Sequence, residues 1–194
     1  MTEFFTLGRL TLRNPSAAAQ IVLAQHWRGE ALWTGLFLVA VLNALAYAVM
    51  TVLFPVPEEM AFLNPSPILY MALSTGVLLV FSSAVTVSGR MIGGQGRFFE
   101  VLSMMVWLQV VRLALQVVLI FAIVLSPGLG GLLSLAVNLY LVYVLLHFVN
   151  EGHRFASLWR AFGVLLMASL LALFALTFVL GLFGPDNLGL PAYV

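Results

Sequence analysis

Apolar residues run through this chain in five long blocks, separated by short stretches of proline, glycine and polar residues. The blocks lie at roughly 30–54, 66–89, 100–125, 130–148 and 158–183. Each meets the ~20 residues that a helix needs to cross a ~30 Å hydrocarbon layer. The blocks are too long for tilted barrel strands and lack apolar-out, polar-in alternation, so the pattern predicts helices. The breaks read Pro55-Val56-Pro57, Asn64-Pro65-Ser66-Pro67, Gly93-Gly94-Gln95-Gly96, Ser126-Pro127-Gly128 and Gly184-Pro185-Asp186. Proline lacks the N–H that a continuing helix needs, and glycine permits left-handed exits. The expected fold class is all-α: an integral membrane bundle of five transmembrane helices. Its parts are an N-terminal segment 1–29, the five-helix domain 30–183 and a tail 184–194. Ser126-Pro127-Gly128 is the shortest break, and a re-entrant loop there would invert everything after it.

Charge gives the bundle a direction. Arg9, Arg13 and Arg28 precede the first block, Arg90 and Arg97 lie between the second and third, and Arg154 and Arg160 lie between the fourth and fifth. The other gaps and the tail carry Glu58, Glu59 and Asp186 instead. The positive-inside rule then puts the N-terminus in the cytoplasm and the C-terminus outside, as an odd number of spans requires. No signal peptide is expected, because no block of spanning length comes before Glu30.

Composition agrees with a membrane setting. The chain is 63% hydrophobic and 8% charged, with mean hydropathy +1.12. A soluble domain carries about 25% charged residues. A net charge of +1 with no basic run argues against a nucleic-acid partner. The absence of cysteine excludes disulfides and thiolate metal sites. Arginine without any lysine fits a GC-rich bacterial genome.

The N-terminal segment has a helix start at Asn14-Pro15-Ser16. From there Ala17, Ile21, Val22, Ala24 and Trp27 alternate with Ser16, Gln20, Gln25 and His26. This predicts a short amphipathic helix at the cytoplasmic interface, with Trp27 and Arg28 at headgroup level. It is either a topological anchor or an element that contacts lipid or a partner.

Arg112 is the outstanding polar residue of the spans. It lies twelve residues past Glu100, about 18 Å into the membrane by the helical rise. Gln109 and Gln116 share its face at i−3 and i+4. Asn43 and Asn138 fall at similar depth, and their carbonyls are candidate acceptors for the guanidinium. No carboxylate lies at that level. Arg112 is therefore either a structural pin held by amides, or a site for an anion, a lipid headgroup or a partner's acidic residue.

A second polar group sits near the cytoplasmic face: His147, Asn150, Glu151, His153 and Arg154, with Arg97 and Glu100 across the loop. His147 and Glu151 are i,i+4. The spacing of the two histidines does not suit a helical metal site, and headgroup hydrogen bonding is the expectation, with no metal and no cofactor. Gly93, Gly94 and Gly96 lack the strand and the spacing of a dinucleotide loop. The alternatives there are a plain tight turn and a lipid-phosphate site made of Arg90, Arg97 and the N–H groups starting the third span. No serine-hydrolase elbow, zinc-protease or Walker sequence occurs, so no enzyme is expected. Ala40, Ala44 and Ala48, and Ala168 and Ala172, suit close helix packing.

Gly93-Gly94-Gln95-Gly96-Arg97-Phe98-Phe99-Glu100, followed by Trp107, resembles the loop between the second and third spans of bacterial Yip-domain proteins. Leu12-Arg13-Asn14-Pro15 is similar to their opening segment. Two departures stand out. The Asp-Leu-Tyr-Gly-Pro motif of eukaryotic members is missing, and Trp107-Leu108-Gln109-Val110 lacks a proline found in many relatives. The resemblance implies a non-catalytic, membrane-embedded partner protein without the small-GTPase link. The expected function is a scaffold or accessory subunit of the bacterial cytoplasmic (inner) membrane. It would bind another membrane protein or a second copy of itself laterally, through Gln109, Arg112, Gln116 and the Gly93–Arg97 loop. The alternative is a small transporter or channel component with an anionic substrate near Arg112.

Overall fold

A computed structural model describes residues 2–25, 27, 29–55 and 65–183. His26, Arg28, Glu58, Glu59 and the tail 184–194 lie outside the described residues. The described chain is all-helical: α1 (Thr2–Arg13), α2 (Pro15–Ala24), α3 (Gly29–Leu53), α4 (Pro67–Met91), α5 (Phe98–Leu125), α6 (Pro127–His153) and α7 (Leu158–Phe183). Five of these, α3 to α7, are long and apolar enough to cross a membrane. The protein is a multi-pass membrane protein.

α5 is the central helix, packed against α2, α3, α4 and α6. Leu32, Leu36 and Val39 of α3 bury against Leu102 and Val106. The larger cluster joins Val85, Met104, Trp107, Phe148, Val164 and Ala168 from α4 to α7. Ala168 and Ala172 are buried, as are Ala40 and Ala44, whereas Ala48 is only partly covered.

Ser126 alone separates α5 from α6, and Pro127 opens α6 where its missing N–H costs no helical bond. α6 runs the full length of the bundle, so the break is a complete turn rather than a re-entrant loop. Gly130 makes this possible. A Cβ there would stand 2.5 Å from Ile123 Cα, so only glycine lets the two backbones cross so closely.

The N-terminal segment differs from expectation. Its amphipathic helix is α1, whose period-3.6 pattern across Phe4, Leu7 and Thr11 is diluted by Glu3, Arg9 and Arg13. α2 begins where predicted: Asn14 Oδ1 accepts from Ala17 N–H at 3.2 Å. It is a core element, however, with Ala18, Ala19 and Val22 buried in the main cluster. Small side chains let it lie close along α5 and α6. α1 crosses the bundle at Trp107, which donates through Nε1 to buried Thr11 Oγ1 at 3.0 Å. Phe4 meets the Trp107 ring edge-on at 5.0 Å, and Tyr140 Oη donates to Leu12 O.

Candidate functional site

The first candidate region is built on the glycine loop. α4 ends on a paired cap: Gly94 N–H donates to Gly89 O at 2.8 Å, and Gly93 N–H to Arg90 O at 3.0 Å. Gly93 carries φ +89°, which a side chain disfavours. The other glycines serve a different purpose. The buried imidazole of His153 occupies the space where their side chains would be. A Cβ on Gly89 would stand 1.9 Å from His153 Nε2, and one on Gly94 or Gly96 would stand 2.8 Å from His153 Cδ2. Phe155 stacks on the ring at 5.3 Å, and Gln95 N–H donates to His153 O at 3.1 Å. His153 therefore plugs a glycine socket and does not reach headgroups. The socket joins residues far apart in sequence, which spacing rules do not connect.

The remaining residues of this face are largely engaged within the chain. His147 Nδ1 pairs with Ser16 Oγ at 2.9 Å, and Glu151 Oε2 accepts from Gln20 Nε2 at 3.0 Å. His147 and Glu151 share a face as predicted, and that face holds α2. Glu100 Oε2 accepts the Arg97 N–H at 2.9 Å, and Glu100 Oε1 lies 3.6 Å from Arg154. Arg90 Nε donates to Gly96 O at 3.4 Å. The protein's own carboxylate thus occupies the start of α5, where a lipid phosphate was one candidate. Asn150 shapes the α6–α7 turn by accepting Ser157 N–H at 2.9 Å. Among the described residues no cluster has the makings of a metal site.

The second region surrounds Arg112, halfway along α5. The expected pin is not formed. Asn43 Nδ2 donates to Val39 O at 3.0 Å and Asn138 Nδ2 to Ser134 O at 2.8 Å, each one turn back on its own helix. These bonds fix the two amides through their donors, and neither Oδ1 accepts from Arg112. Among the described residues Arg112 has no hydrogen bond or ion pair. Its side chain is exposed, as is that of Asn138.

Three cavities meet at this guanidinium. One of about 310 Å³ lies between α4 and α6, with Leu78, Phe81, Met105, Gln109 and Asn138 around it. A second of about 180 Å³ follows α5 past Gln116 and Ile120 to Ile123. A third of about 40 Å³ reaches Asn43 on α3. The five intramembrane polar residues singled out from the sequence thus line cavities that all border Arg112. Gln109 Oε1 is buried there without a partner. The arrangement offers a full positive charge, several amide groups and apolar walls. It suits an anion that carries hydrocarbon, and it contains no nucleophile–base pair.

No curated protein and no solved structure matches this chain. A family model described as the Yip1 domain matches residues 9–179, from α1 into α7. With the glycine loop, the aromatic Trp107 and five spanning helices all inside that match, the chain belongs to the Yip1 domain family.

Proposed function

We propose that this protein is a non-catalytic accessory protein of the bacterial cytoplasmic membrane that works by lateral association. Arg112 is where another membrane component supplies an anionic group. One observation carries this reading: a guanidinium unpaired among the described residues stands open in a cleft at mid-helix, and no described carboxylate lines that cleft. A guanidinium below the headgroups with no acceptor inside the bundle is costly to hold. It is kept where an acceptor from outside the bundle offsets the cost. The test is purification in mild detergent of wild type beside Arg112→Leu, with mass spectrometry of all associated molecules. A component bound to wild type and lost from a folded Arg112→Leu supports the reading. Identical associates in both would remove Arg112 from it.

A second reading is favoured by the second cavity, which continues along α5 from Arg112 to Ile123. A path of that length suits a carrier for a small anion. It requires water at Arg112. The chain has no cysteine, so a single cysteine at Asn138 or Asn43 reports that water by reacting with a hydrophilic thiol reagent in intact membranes. No reaction at either position removes the carrier.

A further inference from the structure

The lateral-association reading leaves open what brings the anion to Arg112, and the shape of the cleft narrows the choice. α5 has 28 residues, about 42 Å at 1.5 Å per residue. That exceeds the ~30 Å hydrocarbon layer, so one end of α5 stands outside it. α1 indicates which end. It is the amphipathic helix: Phe4, Leu7 and Thr11 turn toward Trp107 and the core, while Phe5, Arg9 and Arg13, spaced i, i+4 and i+8, share the exposed face. Such a helix settles at headgroup level. It meets α5 at Trp107. From Trp107 to Leu125 α5 runs about 27 Å, which matches the hydrocarbon thickness.

Arg112 then lies only about 7–8 Å below the headgroups, shallower than counting from Glu100 implied. Long helical side chains lean toward the helix N-terminus, here toward Trp107. The 310 Å³ cavity spans this interval, since Met105 and Gln109 line it together with Arg112. On the far side of Arg112 the second cavity continues to Ile123, about 16 Å farther along α5. Leu119, Ile120 and Val137 line that part. The cleft therefore joins the headgroup level to a cation, and the cation to an apolar slot as long as most of an acyl chain. It is too small for a helix 10–12 Å across.

We propose that the cleft holds an anionic lipid, with its phosphate or carboxylate on Arg112 and a hydrocarbon chain along α5 toward Ile123. The guanidinium supplies five donors and Gln116 supplies more. The lipid brings only acceptors to that point. This assignment rests on the lateral-association reading and makes a lipid, rather than a protein, its first partner.

The test uses the full chain in phosphatidylcholine vesicles doped with phosphatidylglycerol, re-extracted in mild detergent and weighed by native mass spectrometry. Wild type should retain one phosphatidylglycerol per chain. Arg160→Gln, a change to an exposed arginine outside the cleft, should retain it equally. Arg112→Gln should lower retention about tenfold or more, the scale of a lost charge-assisted bond. Leu141→Trp, which fills the slot and leaves the charge alone, should give the same loss, so the test survives if one variant fails to fold. Equal retention by wild type and both cleft variants overturns the proposal. So does displacement of the lipid by inorganic phosphate, which would make the ligand a free anion. If wild type retains no lipid yet carries from native membranes a protein that Arg112→Gln loses, the lipid assignment falls and lateral association stands. If wild type carries neither, both fall.

Discussion

Replacing Gly89 with alanine tests the socket directly, because two effects of known sign oppose each other there. Gly89 lies inside α4, and alanine in a helix interior is favoured over glycine by about 0.5–1 kcal/mol. The new methyl, however, would be placed 1.9 Å from His153 Nε2. The imidazole has nowhere to retreat, because Gly94 and Gly96 already press on it and Phe155 stacks against it. Overpacking of this kind costs about 1–3 kcal/mol. Gly89→Ala should therefore destabilise by about 1–2 kcal/mol, a fall in Tm of about 2–8 °C for a chain of this size. In a His153→Ala background the clash is gone and the helix preference remains, so the same substitution should stabilise. Thermal unfolding followed by tryptophan fluorescence in mild detergent, over all four members of the cycle, measures the coupling. If Gly89→Ala has the same sign in both backgrounds, the socket does not hold His153 as described.

Three further outcomes follow from the packing. Gly130→Ala should cost about 1–3 kcal/mol because the backbone of Ile123 blocks its Cβ, while Gly131→Ala, with nothing within 4 Å, should be neutral or slightly stabilising; thermal unfolding of the pair compares them. Thr11→Val leaves the Trp107 indole N–H without its acceptor and should lower stability by about 1–3 kcal/mol, with faster amide exchange in α1 by mass spectrometry. Glu100→Gln weakens its pairing with an Arg154 side chain that is 56% exposed, so that loss should stay below about 1 kcal/mol; a Tm drop as large as that of Gly130→Ala would contradict this.

The spanning helices were legible because hydropathy and breakers act over whole segments. The start of α2 was legible because Asn14-Pro15 is a local signal. What α2 packs against was not, since Ala18 and Ala19 suit a lipid surface and a close helix contact equally well. α1 escaped notice because Glu3, Arg9 and Arg13 dilute its apolar face until the helical period is applied. At the candidate site, counting residues placed Asn43 and Asn138 at the depth of Arg112 and put Gln109 and Gln116 on its helix face, and all five line the cavities that Arg112 borders. Counting did not reveal that each asparagine would turn its Nδ2 back to a carbonyl of its own helix and leave its Oδ1 short of Arg112. Depth measured from Glu100 also assumed that the membrane boundary lies near the start of α5, whereas the docking of α1 at Trp107 is the ground for proposing it farther along.

The socket has a consequence for how this sequence changes over time. A loop rich in glycine is usually explained by the turn it makes, so its glycines should be replaceable one at a time by other turn formers. Here Gly93 answers to the turn through its left-handed backbone, Gly94 answers both to the turn and to His153, because a Cβ there would meet Gly89 O at 2.8 Å as well, and Gly89 and Gly96 answer to a ring contributed by another helix. Gly89, Gly96 and His153 are thus physically constrained as one unit. A chain that trades the histidine for a small residue should release Gly89 and Gly96 together, while Gly94 stays held by the turn, and one that keeps the ring should keep all three.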